Sequence, residues 1–171
     1  MVLIISSRVE TPPKFSPTAS IPILSPLQLS TPGKTNFDDL KNQNLITSER
    51  RPNNQILYTL KSTVARPREL ITEGGVVIYE KIPLPLHEND ANYTTLEKYF
   101  AQYGQPESKQ TTSFLGIESS IYVYAKNGFA LIGDDKQVFE IVIFQPLSLE
   151  DFIQKWGKDL IKTPVQTRDS G

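Results

Sequence analysis

Proline placement divides this chain before any other feature does. A proline fixes φ, lacks an N–H, and pushes the residue before it into extended backbone. Six of the 13 prolines, Pro12, Pro13, Pro17, Pro22, Pro26 and Pro32, stand within the first 35 of 171 residues, among many Ser and Thr. Neither helix nor sheet propagates through that spacing, so residues 1–35 read as a disordered Pro/Ser/Thr-rich tail, a semi-rigid spacer outside any core. Its Pro-x-x-x-Pro spacings, Pro13 to Pro17 and Pro22 to Pro26, offer a docking peptide, but no Pro-x-x-Pro with a flanking arginine is present. Taking 35 from 171 leaves 136 residues, the size of one domain that buries about two thirds of its unfolded surface. We expect that single domain over 36–165 and a short disordered tail over 166–171.

Composition removes much chemistry. The chain has no cysteine and one histidine, His87, which excludes a disulfide framework, a thiolate nucleophile, Cys-ligated zinc, an iron–sulfur cluster and a paired-His metal site. Lys and Arg number 18 against 19 Asp and Glu, a balance that argues against a nucleic-acid binder built on bulk positive charge. The opening Met1-Val2-Leu3-Ile4-Ile5 is only five apolar residues long. A signal h-region needs about 7–15 and a membrane helix about 20. Passing into Ser6-Ser7-Arg8, this run also matches the last turn of a membrane segment that begins upstream of Met1; an unstructured cytosolic N-terminus is the alternative. Absence of cysteine fits either compartment.

From Gln55 the texture changes to short apolar runs between turn signals. Ile56–Leu60, Glu69–Thr72 and Val76–Ile82 read as strands of a β-meander, with Gly74-Gly75 as a turn and Pro83 and Pro85 as stops. In 94–106 a Thr cap precedes Leu96, Tyr99, Phe100 and Tyr103 at i, i+3, i+4 and i+7, and Gly104 with Pro106 ends the pattern: a short amphipathic helix with an aromatic core stripe. Three more antiparallel strands follow over 119–126, 129–132 and 137–144, joined by Asn127-Gly128, a type I′ hairpin signal, and by Gly133-Asp134-Asp135-Lys136. In the last of them Phe139, Ile141 and Ile143 share one face, leaving the Glu140 side partly wet. Residues 148–157 form a second helix. The fold class is therefore α+β: antiparallel β-meander units, about 55–104 and 105–157, with short amphipathic helices.

The two helices match at an offset of 53: Leu96 with Leu149, Glu97 with Glu150, Tyr99 with Phe152, Tyr103 with Trp156, Gly104 with Gly157. Pro83-Leu84 aligns with Pro146-Leu147 at an offset of 63, the ten-residue difference being the extra loop around Pro85 to Asn92. The helix matches suggest a tandem internal repeat, while the sheet halves, weakly similar in sequence, read better as convergence of two ordinary meanders. The unit over 95–146, carried by Leu96, Tyr103, Gly104, Pro106, Tyr122, Tyr124, Val138 and Ile141, resembles the small α+β unit of the BamE/SmpA lipoproteins and the tandem units of the β-lactamase inhibitor protein. That resemblance implies a non-catalytic, extracytoplasmic (periplasmic) protein-binding module, membrane-associated through a lipid on an N-terminal cysteine. The cysteine is absent here, so any tether must come from sequence upstream of Met1.

No nucleophile–base pair is visible, and the candidate carboxylate pairs have structural explanations. Asp134-Asp135 suits a hairpin turn, and Glu150-Asp151 suits a helix first turn. His87 with Glu88 and Asp90 lies in a polar loop and reads as solvated. We expect no enzyme activity, no cofactor and no metal site. If Ile121 and Val123 face the helix, then Tyr122 and Tyr124 point the other way with Phe144 and Val142, forming a Tyr-rich face that either binds a protein partner or is covered by another part of the assembly. Arg66 and Arg68 close a basic stretch from Arg50 that reads as a partner surface or as charge guarding a strand edge. The functional expectation is a protein-binding or assembly module tethered at the extracytoplasmic side of a membrane. The alternatives are a cytosolic accessory subunit that docks through its Pro-rich tail, or a small-ligand carrier; nucleic acid is not an expected partner, and self-association is left open.

Overall fold

The computed structural model of the chain describes residues 27–40, 45–62, 66–84 and 94–161. Eight strands form one sheet: β1 (Leu45–Arg51), β2 (Gln55–Leu60), β3 (Arg68–Glu73), β4 (Val76–Pro83), β5 (Ser108–Phe114), β6 (Ile117–Tyr124), β7 (Phe129–Gly133) and β8 (Val138–Phe144). Helix α1 (Leu96–Tyr103) follows β4, and α2 (Leu149–Leu160) follows β8. The strand order is β1-β2-β3-β4-β8-β7-β6-β5 with every pairing antiparallel, so two four-stranded meanders meet at the β4–β8 seam. This is an α+β arrangement built on meanders.

Side chains alternate across the pleat, and each face has its own helix. Tyr122, Tyr124, Phe129, Leu131, Ile141 and Ile143 pack with Leu96 and Tyr99 of α1. Their sequence neighbours Ile121, Val123, Ala130, Ile132, Val142 and Phe144 pack with Phe152, Trp156 and Leu160 of α2. Ser148 caps α2 by accepting a hydrogen bond from the Asp151 N–H at 3.1 Å while its hydroxyl donates to Asp151 Oδ2 at 2.7 Å, and Glu150 and Asp151 stand in the first turn of the helix. Asp134 is likewise a turn residue, its Oδ1 accepting from the backbone N–H groups of Lys136 and Gln137 at 2.7 and 2.6 Å.

Several details differ from the sequence expectation. The β6–β7 connection is not a type I′ turn: Ala125–Asn127 form a single 3-10 turn, and only Gly128 has a positive φ, 78°. A Cβ at Gly128 would lie 2.6 Å from the Phe144 carbonyl, so the close approach of β8 requires glycine there. In β8 a bulge opposite Ile132/Gly133 puts Phe139 with the α2-side cluster, against Phe114 at 4.8 Å, and off the face of Ile141 and Ile143. The strands β1 and β5, both polar, are additions at the two sheet edges.

The spacer boundary also moves. Residues 27–35 belong to the fold: Ser30 and Pro32 are buried, Gly33 N–H donates to Val77 O, and Val77 N–H donates to Thr35 O. Leu29 and, from a 3-10 turn over Phe37–Leu40, Phe37 and Leu40 cover Tyr58, Leu60, Leu70 and Val77 on the part of the first meander that neither α1 nor α2 covers. This strap is fixed by Glu80 at the centre of β4. The fully buried carboxylate accepts from Leu29 N–H and Ser30 N–H, both at 3.0 Å, from Ser30 Oγ–H at 2.7 Å and from the Arg68 guanidinium at 2.9 Å. The remainder of the expected spacer, 1–26, the His87 loop and the 166–171 tail lie outside the described residues.

Removing one partner of a buried, hydrogen-bonded charge pair costs about 3–5 kcal/mol. Glu80→Ala should therefore lower stability by about that amount in urea unfolding, with faster amide exchange at Leu29 and Ser30. An unchanged midpoint would contradict this role.

Candidate interaction surface

The five residues expected on a partner surface are all engaged inside the fold. Tyr122 and Tyr124 lie beneath α1, only 3% and 1% exposed, with their hydroxyls donating to Asp134 O at 2.7 Å and Gly104 O at 2.9 Å. Tyr103 and Phe100 meet them edge to face at 6.1 and 5.9 Å. Phe144 is on the opposite face, buried against Phe152 at 5.0 Å. The expectation of an open Tyr-rich face fails because it assigned one helix to the sheet, and there are two. The face is covered by the chain's own α1.

The basic stretch splits into two kinds of residue. Arg66 binds Glu140 at 3.0 Å, donates to Leu84 O at 2.7 Å and Phe139 O at 2.9 Å, and lies 4.7 Å over the Phe114 ring. It holds the β8 bulge, the end of β4 and the far edge strand together. Burial raises the Glu140 carboxyl above its ordinary range, although Lys81 and Arg66 pull it down. Arg68 holds Glu80 and Leu27 O at 2.9 Å each. Only Arg50 and Arg51 sit on an edge strand, β1, where Arg51 reaches Asp159 of α2 at 3.2 Å.

What the fold leaves open lies at its periphery. Six of the seven residues of β1 are exposed and the seventh is partly buried, and Leu45 and Ile46 are 50% and 57% exposed. At the opposite edge, the β5–β6 hairpin presents Leu115 and Ile117, the two most exposed large apolar side chains among the described residues, at 75% and 68%. Leu115 has φ 50° and Gly116 φ 83°, the primed-turn conformation in which Gly or Asn normally stands. A third feature is a cleft of about 240 Å³ beside α2, lined by Ile78, Phe144, Gln145, Pro146, Leu147, Asp151, Lys155 and Trp156. The buried indole N–H of Trp156 has no acceptor among the described residues.

The sequence carried signals for the two missed edge strands. Asn53 and Asn54, with φ 61° and 57°, form a primed turn after Pro52, and Leu115-Gly116 forms another. Both turns join hairpins whose outer strands are mostly polar, with only Thr112 and Phe114 of β5 turned into the fold.

Among the described residues no three His, Asp or Glu side chains gather as a metal would require, and no helix is long and apolar enough to cross a membrane. Comparison with protein-family models, curated proteins and solved structures finds no match.

Two measurements follow from this geometry. Burial pushes the Tyr124 hydroxyl up to about 12, above the value near 10 of an unfolded chain. The unfolded state then loses its proton first, so this contribution to stability is full below about pH 10 and falls away as pH rises toward 12. Absorbance titration should show a late tyrosinate step that Tyr124→Phe diminishes. At the hairpin tip, Leu115→Asn relieves the left-handed backbone and should raise stability by about 1 kcal/mol; a loss in thermal or urea unfolding would contradict the strain.

Proposed function

We propose that this chain is a non-enzymatic protein-binding or assembly module that presents the edge strand β1 to an extended segment of a partner. The observation that carries the reading is β1 itself. Its edge ends the sheet, both its faces are open to solvent, and it begins with two exposed aliphatic side chains, Leu45 and Ile46. A strand with these properties is a ready template for an added strand, with main-chain hydrogen bonds supplying affinity and alternate side chains supplying selectivity. Arg50 gives that edge an exposed cation, which favours an acidic residue in the incoming segment.

The resemblance of 95–146 to BamE/SmpA units and to the β-lactamase inhibitor protein supports binding over catalysis, and with it an extracytoplasmic site near a membrane. We also propose that the two meander-plus-helix units arose by duplication. The palindromic strand order about the β4–β8 seam supports this, with the two helices redistributed to opposite faces of the sheet.

A photo-crosslinking amino acid at Ile46 in the full chain, compared with one at Glu97 on the outer side of α1, tests the β1 reading. We expect a discrete adduct of one identifiable protein from position 46 only, lost when Ser48 is replaced by proline while the far-ultraviolet dichroism is retained. The same adducts from both positions, or none from position 46, would contradict it.

A further inference from the structure

We infer that the chain self-associates head to tail, with the Leu115–Glu118 hairpin tip of one copy seated in the Trp156 cleft of the next. The tip and the cleft are complementary in three respects. In shape, the tip is a narrow knob whose Leu115 and Ile117 stand 75% and 68% exposed, and the cleft is a depression of about 240 Å³. The cleft is half open to solvent, and since a closed cavity of about 150 Å³ holds a benzene ring, it has room for one leucine side chain. In polarity, five of the eight lining residues, Ile78, Phe144, Pro146, Leu147 and Trp156, are apolar and can meet the apolar knob, with Gln145, Asp151 and Lys155 beside them.

In charge, the tip carries an exposed carboxylate, Glu118, directly after Ile117, and the cleft carries the ammonium of Lys155, which lies 5.2 Å over the Trp156 ring. Neither Glu118 nor Lys155 has an ion pair among the described residues. The cleft also holds the Asp151 carboxylate, hydrogen-bonded to Ser148 Oγ at 2.7 Å, and Lys155 is the group there that can pair with an incoming acid.

A chain cannot reach its own cleft, so a tip that fills one belongs to another copy. The tip follows Thr112, whose hydroxyl donates to Leu160 O at the C-terminal end of α2, whereas the cleft borders Asp151, Lys155 and Trp156 of that helix, and none of residues 115–118 lines it. From Trp156 to Leu160 the helix rises about 6 Å at 1.5 Å per residue, from Asp151 about 14 Å, and the β5–β6 ladder holds the hairpin clear of the cleft. Because tip and cleft are different patches, the contact is heterologous and propagates into a ring or a filament. The strained backbone at Leu115 acquires a purpose here: an asparagine would suit the turn better, but it would not fill an apolar cleft.

Trp156 is the chain's one tryptophan and reports on the cleft directly. Sedimentation velocity and tryptophan emission are followed over a concentration series for the full chain and for the tip variant Leu115→Asn and the cleft variant Lys155→Glu. The wild type should associate with a concentration-dependent emission shift, and each variant should associate at least about tenfold more weakly, a difference of 1.4 kcal/mol. Mixed together, the two variants retain one intact cleft and one intact tip, so they should form a two-chain species that grows no further. Glu118→Lys combined with Lys155→Glu should restore longer assemblies. A wild type that stays monomeric with constant emission, a Leu115→Asn chain that assembles like the wild type, or a mixture that fails to pair would each overturn the inference. None of these outcomes bears on β1, which the crosslinking at Ile46 tests separately.

Discussion

A fully buried carboxylate holds the first half of this sheet in order. Glu80 sits on β4, between Leu70 of β3 and Ile143 of β8, and its oxygens take two strap amides, one hydroxyl and one guanidinium. Leaving such a group unpaired would be costly, so its four partners must be in place whenever the sheet is formed. The strap over residues 27–40 is thereby bound to the fold, and its Leu29, Phe37 and Leu40 close a face that neither helix reaches. Arg66 does comparable work at the seam, joining the end of β4 to the β8 bulge and to Phe114 on the far edge.

With the strap, α1 and α2 in position, the central strands are buried on both faces. Two-sided burial explains why β7 is a continuous apolar run and why the hydroxyls of Tyr122 and Tyr124 are tied to backbone carbonyls. It also dictates where recognition can occur. A molecule that meets this fold finds strand edges, a hairpin tip and a shallow cleft beside α2, and each of these carries apolar groups that the interior did not absorb.

The central elements were legible in the sequence because local rules and burial agree there. The Leu96, Tyr99, Phe100, Tyr103 stripe and the 121–144 strands have the right period, and Asp134 and Ser148 stand at positions their side chains cap. The faces were not legible, since alternation says which residues oppose one another and not how many layers cover them. Phe139 misled because a bulge changes parity without leaving a sequence mark, and β1 and β5 were missed because edge strands need no apolar pattern. Arg66 and Arg68 looked like surface charge, as their partners Glu140 and Glu80 are 74 and 12 residues away along the chain.

The most direct test of a sheet closed on both faces is mild tyrosine-selective modification of the native chain, mapped by mass spectrometry. Tyr99, Tyr122 and Tyr124 should stay unmodified while the half-buried Tyr58 and Tyr103 react. Modification of Tyr122 or Tyr124 in a chain that keeps its native circular dichroism would place those side chains on an open surface and contradict this account.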